Sequence, residues 1–439
     1  MLEKKRPVEA GSLPHLARSA VGTFGLKVGL VALSFATSLL LARLLGTRGY
    51  GVYTYCVAWV ALLQVPAELG SRMILAREVS LYQSTSQWAL LKGLLRWLNA
   101  TVLCSSVAVT LLAIACVWVL GDRGSSDMRL VLYIALAMLP LLALAGVRQG
   151  TMQGLHSVVL GQLPENLLQP ICLIASIGVV YVAFSQVTVA QVMILKGISI
   201  GVAFGVGVVL LRRQLPVELD GVRQVSYDVS RWTRSLLPFL LISSTHVINA
   251  RTDILMLGTL SSPEASGIYT VASRGASFIT FVLVAVNMPL GPAISRLYSR
   301  GDLKTLQQTV QKSTRVVFLA SLPMAVILIL FNQWFLLLFG PEFLQGGRAL
   351  VILCCAQLVN ALAGSVGTIL DMTGHERDSA MGIGISAAIN IALNAVLIPR
   401  YGLEGAAIAT ASSIVFWNVF LLFFVHKRVG ISSTIFGWI

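Results

Sequence analysis

Long apolar runs alternate with short polar segments along almost the whole chain. A run of about 20 apolar residues is the length that an α-helix needs to cross the hydrocarbon core of a membrane. The pattern therefore predicts an all-α polytopic membrane protein with twelve transmembrane helices, six on each side of the polar segment 212–235. We place these helices at residues 19–42, 51–75, 97–120, 130–147, 158–184, 189–211, 236–260, 267–290, 316–338, 349–370, 381–398 and 405–425.

Two short motifs occur once in each half. Residues 45–54 (Leu-Gly-Thr-Arg-Gly-Tyr-Gly-Val-Tyr-Thr) return as Leu-Gly-Thr at 257–259 and Gly-Ile-Tyr-Thr at 267–270. Gly-Thr-Met-Gln-Gly-Leu-His at 150–156 returns as Gly-Thr at 367–368 and Met-Thr-Gly-His at 372–375. An even number of helices gives both halves the same orientation, so the repeat predicts two pseudo-symmetric six-helix bundles. We expect a cytoplasmic N-terminus (1–18), a first bundle (19–211), a cytoplasmic linker (212–235), a second bundle (236–426) and a C-terminal tail (427–439).

Composition and charge agree with a membrane environment. With 56% hydrophobic and 11% charged residues and a mean hydropathy of +0.83, the chain could not cover its own surface with polar groups in water. The net charge of +14 is concentrated in the termini, in the segment 212–235 and in other segments that the helix order places on the same side. The positive-inside rule therefore predicts that both termini are cytoplasmic. Basic residues on that side include Lys4, Lys5, Arg6, Arg212, Arg213, Arg223, Arg231, Arg234, Lys427 and Arg428.

The segments between the helices are too short for several other functions. None could form a soluble nucleic-acid-binding face, so we expect no nucleic-acid partner. The first apolar run has the full spanning length and lacks a cleavage pattern, so we expect it to stay as an anchor.

The sequence has no recognisable catalytic or metal-binding motif. It lacks a nucleotide-binding P-loop, the His-Glu-x-x-His and Gly-x-Ser-x-Gly motifs, and any zinc-like spacing of cysteines and histidines. All six cysteines lie inside apolar runs, where a thiol behaves as a small hydrophobic group. We therefore expect no enzyme activity, no cofactor and no metal site.

Charged residues inside the predicted helices are the candidates for function. A charge at bilayer depth costs from about 3 to more than 10 kcal/mol, so such residues normally face a wet cavity or a partner. Helical spacing aligns polar residues on the predicted helices one, two, seven and eight, and we expect these stripes to line one central cavity. The predicted substrate-binding cations are Lys27, Arg72, Arg251 and Arg274, and the predicted coupling or counter-charge residues are Glu68, Glu165, Lys196, His246 and Asp253.

Two pairs among these residues have a simpler structural interpretation. Glu68 and Arg72 have the i, i+4 spacing of a local helical ion pair. Glu165 lies beside a proline that is expected to bend its helix, and there it could serve only in packing. Lys196 belongs to the next predicted helix, after a very short loop, and could pair with Glu165.

Two single residues also keep an alternative. Arg251 could extend along its helix towards the outer membrane surface instead of facing a cavity. The imidazole of His246 could be an ordinary hydrogen-bonded core group, although its usual titration range also suits proton coupling.

Several stretches of sequence resemble a known family of transporters. They are residues 41–46 (Leu-Ala-Arg-Leu-Leu-Gly) with 49–53, then 253–258, 267–269 and 338–340. The most specific stretch is 390–410, an Asn-containing helix that ends in Ile-Pro-Arg-Tyr-Gly and continues to Gly-Ala-Ala-Ile-Ala-Thr. Together they span nearly the whole chain and resemble the bacterial polysaccharide-export flippases. That family belongs to the multidrug, oligosaccharidyl-lipid and polysaccharide exporter superfamily.

The resemblance implies a V-shaped pair of six-helix bundles around a cationic cavity, in the bacterial cytoplasmic (inner) membrane. It implies that the protein moves an undecaprenyl-diphosphate-linked oligosaccharide from the inner to the outer leaflet. We expect a polysaccharide polymerase and glycosyltransferases as further partners. Asn390 and Asn394 then face the sugar, although they could equally bridge neighbouring helices. Two alternatives stay open: a cation-coupled multidrug exporter of the same superfamily, and a membrane-embedded polysaccharide polymerase or assembly partner.

Overall fold

The computed structural model describes residues 13–119, 126–184 and 186–435, and these residues are almost entirely helical and contain no strand. The side chains of residues 13–28 and of four residues elsewhere lie outside the description. Two predicted site residues, Lys27 and His246, are among them, so the structure does not place their side chains.

The helices follow the predicted apolar runs in order. A π-helical turn at Pro164–Leu168 joins α6 to α7, and short 3-10 turns lie at Val217–Leu219 and Pro341–Gly346. The α-helices are α1 (Leu13–Glu68), α2 (Ser71–Ser84), α3 (Trp88–Val119), α4 (Ser126–Ala137), α5 (Leu139–Gly154), α6 (Val158–Leu163), α7 (Gln169–Phe184), α8 (Val189–Gln214), α9 (Val229–Leu260), α10 (Pro263–Ser299), α11 (Leu303–Leu330), α12 (Asn332–Leu337), α13 (Gly347–Ala363), α14 (Val366–Met372) and α15 (Glu376–Val429).

Two glycines divide the two longest helices. Gly46 (φ 65°, ψ −176°) lies inside α1, and Gly402 (φ 53°, ψ −122°) lies inside α15. Glycine adopts a positive φ at little cost because it has no Cβ atom. Each break falls in a gap between two predicted transmembrane helices, so α1 and α15 each correspond to two of them.

A third break lies where the sequence predicts a continuous second transmembrane helix. Leu69 (φ 54°) and Gly70 (φ 72°) have left-handed backbone conformations between α1 and α2. A Cβ atom on Gly70 would lie 2.7 Å from the backbone nitrogen of Leu240, so the close approach of α9 also requires glycine here. The predicted helix 51–75 is therefore wrong in its last turns, because an apolar pattern does not show where another helix comes close.

Nine helices of the described residues are long and apolar enough to cross a membrane, judged by length and composition. Two of them, Gly29–Glu68 and Glu376–Val429, contain the glycine breaks. The fold is an all-α polytopic membrane fold, and the count of twelve crossings stays a prediction.

The segment 212–235 is packed against the first half of the chain. Helical turns occupy both of its ends. The Lys92 ammonium group, on α3, donates to the backbone oxygens of Leu219 and Val222, both at 2.9 Å. Trp232 is buried, and its indole N–H donates to the hydroxyl group of Tyr82, on α2, at 3.0 Å. The start of α9 thus packs on helices of the first predicted bundle.

The two halves come closest where α1 meets α9 and α10. A Cβ atom on Gly51 would lie 1.8 Å from the backbone oxygen of Pro263, and one on Gly267 would lie 2.7 Å from that of Thr47. The Thr47 hydroxyl group also donates to the Glu342 carboxylate at 3.1 Å. We call these five residues the Gly51 contact. It closes the two halves against each other at the end of the helices where Gly46 lies.

Replacing Gly51 with alanine is expected to lower the free energy of unfolding by about 1–3 kcal/mol, because the added methyl group would overlap the Pro263 carbonyl oxygen. Thermal unfolding in detergent measures the loss. The matched control is Gly201→Ala in α8, where a Cβ atom meets nothing within 4 Å and alanine improves helix propensity. Equal unfolding temperatures for the two variants would contradict the close contact.

Candidate functional site

Arg274 extends from α10 to α1 across the junction between the two halves. Its Nη1 atom donates to the backbone oxygen of Ser34 at 3.3 Å and to the Ser34 hydroxyl group at 3.2 Å. The Tyr50 hydroxyl group lies near Arg274 and Ser38. All of these partners are neutral. The guanidinium group is therefore hydrogen-bonded, but its charge is not neutralised.

A second cation lies close to Arg274. Arg251, on α9, is half-buried, and its positive charge interacts with that of Arg274. Among the described side chains, neither guanidinium group forms a salt bridge with a carboxylate. Two neighbouring like charges in an apolar scaffold are unfavourable unless an anion or water accompanies them. Arg274 is the candidate anion-binding group, with Arg251 as a neighbouring cation. The choice between a cavity role and extension towards the membrane surface for Arg251 stays a prediction.

Glu68 and Arg72 lie on opposite sides of the helix break. The Glu68 carboxylate accepts a hydrogen bond from Gln64 at 2.5 Å and packs against Gly146, where a Cβ atom would lie 2.4 Å from it. No salt bridge joins Glu68 to Arg72 in the described structure. The interpretation as a local helical ion pair is therefore wrong, because the break removes the i, i+4 geometry. Arg72 stays half-buried and acts on Glu68 electrostatically at longer range.

Glu165 is held by an arginine that the sequence analysis missed. Arg148, on α5, donates through Nη2 to both carboxylate oxygens of Glu165, at 2.6 Å for Oε2, and to the backbone oxygen of Gly161 at 3.0 Å. The Arg148 side chain is only 2% exposed and packs against Gly207, where a Cβ atom would lie 2.4 Å from its Cζ atom. Arg148 directly follows the apolar run 130–147, so the apolar pattern places it in a loop, whereas the helix continues to Gly154.

Lys196 has a different partner from the predicted one. Its ammonium group donates to the Tyr53 hydroxyl group at 2.9 Å and lies 4.8 Å from the centre of the Tyr53 ring. A cation over an aromatic face is stabilised by the ring quadrupole. The predicted pairing of Lys196 with Glu165 is therefore wrong. The order of helices along the chain does not show which of their faces meet.

The Asp253 carboxylate accepts four hydrogen bonds from neutral groups on α10 and α15. The donors are the hydroxyl groups of Tyr269 (2.7 Å) and Thr410 (2.6 Å) and the amides of Asn390 (3.1 Å) and Asn394 (2.7 Å). We call these five residues the Asp253 cluster. The asparagines lie before the glycine break of α15 and the threonine after it, so the break wraps α15 around the carboxylate. Among the described side chains, no cation pairs with Asp253.

Asn390 and Asn394 do not have the sugar-facing position that the family resemblance implies. Their side chains are buried, at 4% and 0% exposure, and both donate to Asp253. In this conformation neither amide can face a sugar, so the geometry favours the alternative in which they bridge helices. Tyr269 and Thr410 were missed as site residues, although both lie in the stretches that carry the family resemblance.

A cavity of about 790 Å³ lies between the two halves. Its walls come from α1, from the segment α6 to α7 with its π-helical turn, and from α10. We call it the interhalf cavity. Ser34 lines it and also accepts the hydrogen bonds of Arg274, so the cavity adjoins the candidate cations. The polar part of its lining consists of Ser34, Gln162, Glu165, Asn166 and Gln169.

Comparison of the sequence with known proteins finds related transporters. The family model described as polysaccharide biosynthesis protein matches residues 21–298, and the MatE model matches residues 245–396. The probable low-salt glycan biosynthesis flippase Agl15 of Haloferax volcanii is 22% identical over 406 residues, which are 91% of this chain and 81% of that protein. The probable flippase AglR of the same organism is 28% identical over 183 residues, which are 40% of this chain and 38% of that protein.

Two solved structures have a similar fold. One is the inward-facing conformation of a multidrug resistance MATE family transporter, with a TM-score of 0.72 and 14% identity over 91% of this chain and 94% of that one. The other is the lipid II flippase MurJ in its inward closed conformation, with a TM-score of 0.70 and 14% identity over 92% and 87% of the two chains. At this identity the likeness concerns the fold alone, and it confirms the predicted exporter-superfamily fold.

Replacing Glu165 with leucine is expected to lower the free energy of unfolding by about 3–5 kcal/mol, because Arg148 then lacks its buried counter-charge. The double variant Arg148→Met/Glu165→Leu should recover most of this loss, since two apolar side chains then fill the site. Thermal unfolding in one detergent compares the variants. The control is Glu264→Leu, which removes an exposed ion pair with Arg48 and should cost less than about 1 kcal/mol. A double variant less stable than Glu165→Leu would contradict the buried pair.

Proposed function

Since this chain belongs to the polysaccharide biosynthesis protein family, we propose that it moves an undecaprenyl-diphosphate-linked oligosaccharide from the inner to the outer leaflet of the bacterial cytoplasmic membrane. It is a helical membrane transporter of the multidrug, oligosaccharidyl-lipid and polysaccharide exporter superfamily. The single observation that carries the finer proposal is Arg274, which reaches across the junction of the halves to Ser34 and forms no salt bridge with a carboxylate among the described side chains.

The diphosphate is the part of the proposed substrate with the highest free-energy cost of entering the membrane. Moving an ionised group into a low-dielectric medium costs tens of kcal/mol on an idealised scale. Guanidinium groups bind phosphate oxygens through paired, charge-assisted hydrogen bonds, which offset this cost. In the proposed site Arg274 and Arg251 bind the diphosphate, with Lys27 and Arg72 as further cations, while the lipid tail stays in the bilayer.

The membrane potential can supply part of the driving force. Moving a negative charge outwards across an inside-negative membrane is favourable by about 2.3 kcal/mol per charge per 100 mV. The proposed cycle therefore needs no ATP, in keeping with a sequence that has no P-loop.

We assign the Gly51 contact to the outer end of the transporter. The assignment uses the positive-inside rule, which places the basic segment 212–235 and both termini on the opposite, cytoplasmic side. The interhalf cavity then lies nearer the cytoplasmic side, since residues at the start of α6 line it together with the middle of the first arm of α1. In this scheme the substrate enters from the cytoplasmic side, and release requires the Gly51 contact to separate.

The Asp253 cluster is the proposed coupling site. It holds a negative charge by hydrogen bonds alone and joins α9, α10 and both parts of α15. Uptake of a proton or a small cation there would change the hydrogen bonds that fix these helices relative to one another. Glu68 at the helix break and Glu165 in its ion pair are the other acidic groups of the proposal.

The proposed partners follow from the substrate. Glycosyltransferases would build the lipid-linked oligosaccharide on the cytoplasmic side, and a polysaccharide polymerase would use it on the other side. The name of Agl15, a glycan biosynthesis flippase, supports a lipid-linked glycan as the cargo.

A cation-coupled multidrug exporter is the second candidate. The MatE match covers Asp253, Asn390 and Asn394, and a buried carboxylate without a cationic partner suits cation coupling. The unpaired arginines favour an anionic cargo over a cationic drug. A deletion strain separates the two functions: loss of surface glycan without a change in drug sensitivity supports the flippase, and the reverse supports the exporter.

Replacing Arg274 with alanine is expected to abolish surface polysaccharide, because the cation at the junction of the halves is lost. Arg274→Lys keeps the charge but not the paired donors and should retain partial export. Glycan staining of a complemented deletion strain measures export, and immunoblotting measures protein abundance. The control is Arg213→Ala, an exposed cation at the end of α8. Unchanged export by Arg274→Ala at normal abundance would remove Arg274 from the site.

Replacing Asp253 with asparagine is expected to reduce export at least tenfold with little change in protein abundance. The amide keeps the shape of the carboxylate, and the two hydroxyl groups can rotate to accept its N–H groups, but the charge is lost. The control is Asp220→Asn, on an exposed turn of the segment 212–235. Export at the wild-type rate in the Asp253 variant would show that this charge has no part in the cycle.

A further inference from the structure

One wall of the interhalf cavity carries three carboxamide side chains. Gln162, Asn166 and Gln169 line it beside Glu165. They are half-buried or exposed, and within the described residues none of the three amides has a hydrogen-bond partner. Each carboxamide offers two N–H donors and one acceptor oxygen. The wall therefore presents unused donors and acceptors to whatever fills the cavity.

The local structure fixes these groups on one wall of the cavity. The residues follow the spacing i, i+4, i+7, with Glu165 at i+3, and all four line the same cavity. The π-helical turn Pro164–Leu168 lies in the middle of this segment, and such turns often occur at functional sites. Arg148 anchors the same turn from behind through its hydrogen bonds to Glu165 and to the backbone oxygen of Gly161. The wall is held in place by a buried ion pair.

The chemistry of the wall differs from that of the neighbouring cations. No lysine or arginine side chain is among the described residues that line the cavity. The positive charge of Arg274 adjoins it at Ser34, on α1. Neutral amides beside one carboxylate suit a neutral ligand rich in hydroxyl groups, which both donate and accept hydrogen bonds. The arginines suit an anion.

We propose that Gln162, Asn166 and Gln169 bind the hydroxyl groups of the oligosaccharide and so determine which glycan is accepted. This inference rests on the proposed flippase function and deepens it, since it divides the substrate between two surfaces. The amide wall binds the sugar, and the arginines bind the diphosphate. Asn390 and Asn394, buried against Asp253, have no part in sugar binding in this conformation.

The test compares two probes on the purified full-length protein in detergent. One probe is undecaprenyl diphosphate, and the other is the lipid-linked oligosaccharide fraction extracted from cells of the source organism. Native mass spectrometry measures the bound fraction of each. Gln162→Leu and Gln169→Leu should each weaken binding of the glycosylated probe about tenfold, because a leucine cannot replace the lost hydrogen bonds. Binding of undecaprenyl diphosphate should stay within about twofold of the wild type.

Two further variants separate this inference from the function on which it rests. Arg274→Ala should weaken the binding of both probes. Gln308→Leu, at an exposed position of α11 outside the cavity, should weaken the binding of neither. Gln169→Asn keeps the amide but shortens the side chain, so an intermediate loss for the glycosylated probe is expected even if a leucine variant unfolds.

Three outcomes would overturn the proposal. Equal weakening of both probes by the amide variants would show that the wall does not distinguish the sugar. Unchanged binding of the glycosylated probe would show that the amides do not contact it. Wild-type protein that binds neither probe would overturn the flippase function, and the amide wall with it.

Discussion

Lipid offers a side chain no hydrogen bond and no counter-charge, and this constraint explains the partners of several ionisable groups within the described helices. The Arg148 guanidinium group is paired with the carboxylate of Glu165. The Asp253 carboxylate accepts hydrogen bonds from four neutral donors. The Lys196 ammonium group contacts the hydroxyl group and the ring of a tyrosine. Arg274 meets this constraint only in part, through neutral oxygens. An arginine that is held only by neutral oxygens, within an apolar scaffold, is a place where an anion can bind.

Helix α9 connects the two halves more closely than a flexible linker would. Its first turns pack on the first half, where Arg231 donates to the buried carboxylate of Glu78 at 3.0 Å. Its later turns carry Asp253 into the second half, where the carboxylate joins α10 and α15. Any relative movement of the halves must therefore be taken up within α9. Pro238 lies between the two attachments and lacks the N–H group of a regular helical hydrogen bond, so the helix is weakest where a bend would be needed.

Much of the fold follows from the sequence, because a membrane imposes a minimum length on each apolar run and glycine is needed where the chain turns sharply. The break at Gly46, for example, falls in a predicted gap. The tertiary contacts could not be predicted from the sequence pattern in the same way. The turn at Gly70 depends on the approach of α9, and Arg148 is found only once its helix is seen to outlast the apolar run. The bond from Asn394 to Asp253 joins residues 141 positions apart, and no local pattern selects one face-to-face pairing among many.

The separation of cations from carboxamides has a physical consequence for the proposed function. Electrostatic attraction acts over several ångströms and depends little on orientation, so Arg274 and Arg251 suit the proposed diphosphate. Hydrogen bonds act only at contact distance and depend on angle, so amides suit the sugar, which differs between substrates. Because Gln162 and Gln169 lie on a segment held by its own buried ion pair, their side chains can change without disturbing the cations on α9 and α10. In the proposed site, the specificity for the glycan can then vary while the same arginines still bind the negatively charged diphosphate.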